Sequence, residues 1–236
     1  MGRRSRPRRA KAMVLIEGGY FRLHRAPQGR DSTLIIGLGW DRGPCASAAL
    51  LLANSIGAKL FAEYYSRFFP DQVIINPLGI CNLPRYEFYE GELDGRAAII
   101  CVGNAEVAVE EPEAFYEVSS DVAGFAKEMG AKRAIILDSF PARGGEGGRI
   151  RYAVNTTLIL DVPKGLGLIP IRNSRIPGSF GLLLGLLRFK GIPALGILVP
   201  VDPSAPEGQA QPLLLHLLNR LASAQWPSRD PRGRGP

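Results

Sequence analysis

The sequence is poor in the residues that build covalent and metal-bound frameworks. Its 236 residues include only three cysteines and two histidines. An odd number of cysteines without metal-ligand spacing argues against a disulfide framework and a zinc site, so we expect no metal and a reducing, cytoplasmic location. His24 and His216 lie in no local motif for a Ser-His-Asp or Cys-His set. We therefore assign no catalytic residue and no cofactor.

Long apolar runs are absent as well. The longest, such as residues 182–187 and 194–201, are far shorter than the roughly 18 residues of a membrane span. Behind the first basic residues only positions 13–16 are apolar, too few for a secretory signal. We expect neither a membrane segment nor a signal peptide. The hydrophobic fraction of 46% predicts instead a chain that buries a full core.

The net charge of +7 is concentrated at the two ends of the chain. Residues 1–11 carry six basic side chains and no acidic one, and residues 227–236 carry three arginines and one aspartate, which leaves −1 for the rest. We predict a basic disordered tail over 1–11, a single α/β domain over 12–226 and an Arg/Gly/Pro tail over 227–236. Because neither tail contains aromatic residues that could stack on bases, we do not expect nucleic-acid binding.

Strand and helix patterns alternate between the tails. Apolar runs predict strands over 33–39, 58–64, 96–102, 133–138 and 193–200. Helices are predicted over 44–56, 115–129, 178–187 and 211–224, the third of them buried all round and capped by Ser179. This alternation is typical of a three-layer α/β/α domain around a mainly parallel sheet. A strand-rich segment, 72–90, adds a small antiparallel part.

The strand ends carry a candidate ligand pocket. In open α/β sheets, ligands bind beyond the carboxyl ends of the strands. The polar or aromatic residues at those positions are Trp40, Asp41, Arg42, Asn104, Glu106, Asp138 and Ser139. Asp138 and Glu106 could act as a carboxylate pair, or as helix caps and loop anchors. Cys45 lies beside a helix start, where a thiol pKa can fall, but a packed, inert cysteine is the alternative.

Four stretches together resemble the proteasome assembly chaperone 2 family, in the form found in archaea and some bacteria. They are the strand, Gly-rich turn and helix over 34–56 with Gly57-Ala-Lys-Leu-Phe-Ala-Glu-Tyr-Tyr65, then Leu83-Pro-Arg-Tyr-Glu-Phe-Tyr89, then residues 125–137, and finally 178–187 with Gly191-Ile-Pro193. The resemblance implies a nucleoside-phosphorylase-like α/β/α fold, self-association and a role in assembling or capping the proteasome α-ring. It implies no established catalysis.

One feature of some archaeal relatives is missing. They end in a hydrophobic–tyrosine–any-residue tail that inserts between proteasome α subunits, whereas this sequence ends Arg232-Gly-Arg-Gly-Pro236. We therefore expect any contact with the proteasome to use another surface.

Two functions follow as hypotheses. The first is a non-enzymatic chaperone that forms homo-oligomers and binds proteins, with proteasome α subunits as candidate partners. Its candidate contact residues are aromatic, and core packing is the alternative for each: Tyr64, Tyr65, Phe68, Phe69, Tyr86, Phe88 and Tyr89. The second is a nucleoside-phosphorylase-like or hydrolase-like enzyme that acts on a small polar ligand at the strand ends.

Overall fold

The computed structural model describes residues 13–16, 19–29, 31–39, 43–107, 112–142, 149–202, 211–222, 224 and 226–227. The strands within these ranges are β1 (Met13–Ile16), β2 (Gly19–Leu23), β3 (Ser32–Gly37), β4 (Lys59–Ser66), β5 (Ile74–Ile75), β6 (Cys81–Asn82), β7 (Tyr86–Leu93), β8 (Arg96–Gly103), β9 (Ala131–Pro141), β10 (Arg151–Val154), β11 (Ile169–Pro170) and β12 (Ala194–Val201). The helices are α1 (Pro44–Ser55), α2 (Pro112–Glu128), α3 (Gly178–Phe189) and α4 (Gln211–Ala222), and a 3₁₀ turn spans Thr157–Ile159.

Ten of these strands form one mixed sheet, in the order β1-β2-β4-β7-β8-β3-β9-β12-β10-β11. Its centre, β8-β3-β9-β12, is parallel. The helix α2 makes the crossover from β8 to β9, and α3 leads into β12, as parallel strands require long connections. The neighbouring strands β2, β4 and β7 are antiparallel to one another. The two-residue turn Asp94-Gly95 joins β7 to β8, and both residues have positive φ, as a tight hairpin requires. The predicted α/β class is confirmed.

Helices cover both faces of the sheet and produce two hydrophobic cores. On one face, α2 and α3 pack over Leu34 and Ile36 of β3. On the other face, α1 and α4 pack over Ile35 of the same strand. Adjacent strand residues point to opposite faces, so a strand covered on both sides reads as a continuous apolar run. Among the described helices, none has both the length and the apolar character needed to cross a bilayer.

The predicted antiparallel segment 72–90 is divided between two sheets. β5 pairs only with β6, in a separate two-stranded hairpin. β7 instead joins the main sheet between β4 and β8. The small antiparallel part of the prediction is therefore confirmed, and residues 86–93 all belong to the main sheet.

Two details predicted for α3 are wrong. The helix is buried on one face only, through Phe180, Leu183, Leu184 and Leu187, while Phe189 near its end is 84% exposed. A helix that covers one side of a sheet leaves its other side open, even where the sequence there is apolar. Ser179 does not cap the helix, because Pro177 occupies the N-cap position and no side chain caps it.

Gly37 sets how closely α1 can approach the sheet. A Cβ atom built on Gly37 would lie 2.3 Å from the carbonyl oxygen of Cys45 and 2.6 Å from the Cβ of Ala49. Only glycine lets the end of β3 pass directly beneath the first turn of α1. The close contact fixes the position of the helix at the edge where β3, β8 and β9 end.

Candidate functional site

A cavity of about 170 Å³ lies beyond the carboxyl ends of β3 and β8 and beside β9. The strand predicted to end at Asp138 continues to Pro141, so Asp138 and Ser139 lie within β9 and not after it. The polar groups on its wall are Tyr86, Glu106, Asp138 and Ser179. Its apolar and glycine lining is Leu38, Gly39, Ala105, Val107, Phe115 and Gly178. The start of α3 therefore faces the strand ends across this cavity. Parallel strands that end at one edge bring together side chains that are distant in sequence.

Asp138 is the most perturbed acid of this cavity. Its pKa is raised from the ordinary value of 3.8 to about 6, chiefly by burial and to a smaller extent by the negative charge of Glu106. The backbone N–H of Ser139 donates a hydrogen bond to Oδ1 of Asp138 at 2.8 Å, and this hydrogen bond lowers the pKa because it stabilises the carboxylate. The predicted carboxylate pair thus meets in one cavity, where Asp138 can exchange a proton near neutral pH.

The other predicted pocket residues have different positions. Asn104 follows β8, and its Oδ1 accepts a hydrogen bond from the backbone N–H of Arg85 at 3.2 Å, so it anchors the start of β7. Ser139 contributes its backbone to Asp138. Trp40, Asp41 and Arg42 lie outside the described residues. Within the described ranges, no three His, Cys, Asp or Glu side chains converge on a point that could hold a metal ion.

Cys45 is not an activated thiol. It is fully buried at the start of α1, and burial, followed by the charge of Asp138, raises its pKa above the ordinary value. A thiol with a raised pKa stays protonated and is a poor nucleophile at neutral pH. The packed, inert alternative is the one that this geometry supports.

Four of the seven predicted contact residues belong to the core. Tyr64, Phe69, Tyr86 and Phe88 are buried among the aromatic rings beneath α2. The O–H of Tyr64 donates to Oδ2 of buried Asp121 at 2.7 Å. Core packing accounts for these four side chains, each of which keeps less than a tenth of its surface exposed. The set that keeps accessible surface is Tyr65, Phe68 and Tyr89.

An ionic network lies between β2, β4 and β7, and the sequence reasoning missed it. Glu63 is 7% exposed and accepts a hydrogen bond from Nε2 of His24 at 2.8 Å. Nε of Arg85 lies 3.0 Å from the other carboxylate oxygen of Glu63. Arg85 also pairs with Glu87, which accepts from the hydroxyl of Tyr89 at 2.8 Å. These pairs satisfy buried charges, and they hold the antiparallel strands together.

A second missed feature is a hairpin that exposes apolar side chains to solvent. We call residues 73–83, which contain β5 and β6, the apolar hairpin. Its exposed large residues are Val73, Ile75, Leu78, Ile80 and Leu83. No charged residue occurs between positions 72 and 84. That uncharged run, combined with turn residues such as Pro77 and Gly79, is the sequence pattern that indicates the hairpin.

A groove of about 360 Å³ adjoins the apolar hairpin. We call it the aromatic groove, and its lining is Gly19, Tyr20, Tyr65, Ser66, Arg67, Phe69, Pro70, Leu83 and Pro84. The rings of Tyr20 and Tyr65 stack with their centroids 5.0 Å apart. Leu83 belongs to both features, so hairpin and groove form one continuous surface. Contiguous exposed apolar area of this kind is typical of protein–protein interaction sites.

Fold and surface thus define a three-layer α/β/α protein whose most distinctive surface is apolar. The PAC2 family model matches residues 45–231, most of the chain. The chain therefore belongs to the PAC2 family. None of the curated proteins matches it.

Solved structures support the same fold. PbaB of Pyrococcus furiosus, described as an archaeal proteasome activator, has a TM-score of 0.77 at 22% identity, with 90% of this chain and 92% of that chain covered. PbaA of the same organism, described as an archaeal homolog of proteasome-assembly chaperone, has a TM-score of 0.66 at 20% identity, with 85% of this chain and 81% of that chain covered. A proteasome-assembly chaperone homologue from Mycobacterium tuberculosis has a TM-score of 0.63 at 16% identity, with 84% of this chain and 87% of that chain covered.

Proposed function

We propose that this chain is a non-enzymatic protein-binding factor that forms homo-oligomers and contacts proteasome α subunits. The observation that carries the proposal is the apolar hairpin, with five large apolar side chains exposed on one short element. Monomeric proteins rarely leave such a patch uncovered. Membership of the PAC2 family and the similarity to PbaA and PbaB, a proteasome-assembly chaperone homolog and a proteasome activator, support this class of partner. Three cysteines without disulfide pairing support a cytoplasmic location.

Phe68 is a candidate contact with the α subunits. It is half-buried just after β4, and the guanidinium carbon of Arg67 lies 4.7 Å from the centroid of its ring. Arginine and aromatic residues are enriched where protein interfaces lose most of their water. Tyr65 and Tyr89 are the other half-buried members of the predicted set, and we propose Tyr65, two residues before Arg67, as a neighbour of this contact. Tyr89 packs against the core on the opposite face of the sheet from Phe68, so it stays a separate candidate.

Co-purification tests this function. The chain, immobilised through a tag, is mixed with proteasome α subunits and separately with β subunits. We expect α subunits to be retained, with Phe68→Ala retaining about tenfold less and Phe189→Ala, an exposed phenylalanine on α3, retaining as much as wild type. Retention of neither subunit, or of both equally, would contradict the proposal.

A second candidate function is binding of a small polar ligand in the strand-end cavity. The raised pKa of Asp138 beside Glu106 favours it, because active sites concentrate such perturbed acids. The predicted pocket residues Asn104, Glu106, Asp138 and Ser139 stay the candidates among the described residues. Thermal shifts with a panel of nucleosides, phosphates and metabolites test it, since a ligand that prefers the folded state raises the melting temperature. No shift with any compound would leave this function unsupported.

A further inference from the structure

The apolar hairpin is a rigid knob. Oδ1 of Asn76 accepts hydrogen bonds from the backbone N–H groups of Leu78 and Ile80, both at 3.0 Å. The backbone N–H of Asn76 donates to the carbonyl of Ile80, and that of Gly79 donates to the carbonyl of Asn76. Leu78 is thereby held at the tip, where it is 82% exposed. A preorganised apolar side chain loses little conformational freedom when it is buried in a partner.

The aromatic groove has the size and chemistry to receive such a knob. Its volume of about 360 Å³ exceeds the about 150 Å³ of an engineered apolar cavity that holds benzene. Its walls include the stacked rings of Tyr20 and Tyr65, with Pro70 and Pro84. Within the described part of the chain, no segment of the same molecule fills the groove.

The hairpin and the groove adjoin each other at Leu83. Their adjacency on one surface indicates what kind of partner fits. In a two-fold contact the same patch of both subunits pairs with itself, so a protein with adjacent knob and groove makes both contacts at once. A residue near the two-fold axis also faces its own copy, where a charge would meet a like charge. Residues 72–84 contain no charge, so the hairpin can face its own copy without that repulsion. Arg67 is the charged residue of the groove lining, and its guanidinium lies 3.6 Å from the carboxylate of Glu117 in the same molecule.

From these observations, we infer that a second copy of this chain covers the apolar hairpin. The Leu78 tip of each copy inserts into the aromatic groove of the other, in a two-fold dimer with two equal contacts. The inference rests on the self-association in the proposed function, and it names the surface that performs it. The same surface is then buried before any α subunit binds.

Sedimentation over a range of protein concentrations tests the dimer with two matched variants. Leu78→Asp places a carboxylate at the knob, and Phe189→Asp places one at an equally exposed apolar site on α3. We expect Leu78→Asp to weaken dimerisation at least about tenfold and Phe189→Asp to leave it within about twofold. An unchanged dimer in Leu78→Asp, or equal loss in both variants, would overturn the inference.

Complementation gives a sharper test of the reciprocal geometry. Tyr20→Asp damages the groove and leaves the knob intact. Alone, it should weaken dimerisation as Leu78→Asp does, but an equimolar mixture of the two variants should form heterodimers through the one undamaged contact. Native mass spectrometry separates heterodimers from homodimers by mass. A mixture without heterodimers, when both variants melt as wild type does, would overturn the inference.

Cys81 provides a readout that does not depend on a variant. It is exposed within the hairpin, whereas Cys45 and Cys101 are buried. Alkylation of Cys81 should slow as protein concentration rises, and a rate independent of concentration would overturn the inference. If the wild type is a dimer and Leu78→Asp leaves that dimer intact, the hairpin is not the dimer surface, whether or not the variant still binds α subunits. The proposed function is unaffected by that result. A monomeric wild type that also fails to retain α subunits defeats the proposed function as well.

Discussion

Replacement of Asp138 by asparagine is expected to stabilise the protein at neutral pH. Burial in the strand-end cavity disfavours the charged carboxylate, and the charge of Glu106 disfavours it further. Asparagine has nearly the same shape and can still accept the hydrogen bond from the N–H of Ser139 through Oδ1. It removes the charge and keeps the hydrogen bond.

The magnitude follows from the raised pKa. The unfolded chain ionises Asp138 near the ordinary 3.8 and the folded chain near 6, so the folded state loses stability as pH rises through this interval. At pH 8 the ionised carboxylate of Asp138 lowers the free energy of unfolding by about 3 kcal/mol, since one pKa unit is about 1.4 kcal/mol. At pH 4 the folded state is protonated and the unfolded state is only about half ionised, so the loss of stability falls below about 1 kcal/mol. For a chain of this length, 3 kcal/mol is about 6–12 °C in melting temperature.

Thermal and urea unfolding at pH 4 and pH 8 measure the effect. We expect Asp138→Asn to melt well above wild type at pH 8 and within a few degrees of it at pH 4. Asp71→Asn, which changes an exposed carboxylate outside the cavity, is the control and should match wild type at both pH values. Equal stability of Asp138→Asn and wild type at pH 8 would show that the carboxylate is not held in an unfavourable environment.

Two further changes test the packing of the sheet against its helices. Tyr64→Phe removes the hydroxyl that donates to buried Asp121, and should cost about 1–3 kcal/mol in urea unfolding at pH 7; an unchanged midpoint would refute that role for the hydrogen bond. Gly37→Ala places a methyl group against the backbone oxygen of Cys45 and should destabilise by about 1–3 kcal/mol or more. Its control, Gly124→Ala, adds a methyl group in open space on α2 and should stabilise by about 0.5–1 kcal/mol, so the opposite order of the two melting temperatures would contradict the close contact at Gly37.

The central layers of this fold could be predicted from sequence because both faces of the parallel strands are buried. Such strands are short apolar runs, as in β3 and β12, and an amphipathic stripe marks α2. The partners of the short strands could not be predicted in the same way. Two-residue strands such as β5 and β6 have no periodicity to read, and their pairing depends on the turn between them.

The candidate sites were predicted less completely than the fold. Asp138 and Glu106 were found because strand ends converge in any parallel sheet. The aromatic contact set contains both buried and accessible residues, since a tyrosine in a strand looks the same in sequence whether it is buried, like Tyr64, or half-buried, like Tyr65. The apolar hairpin was not predicted because apolar residues normally predict burial, whereas Val73, Ile75, Leu78, Ile80 and Leu83 are exposed.

Native mass spectrometry of the chain mixed with proteasome α subunits tests the central claim most directly. We expect complexes whose masses equal two or more copies of this chain together with α subunits, alongside a homo-oligomer of the chain alone. A monomer that stays separate from α subunits at every mixing ratio would contradict it.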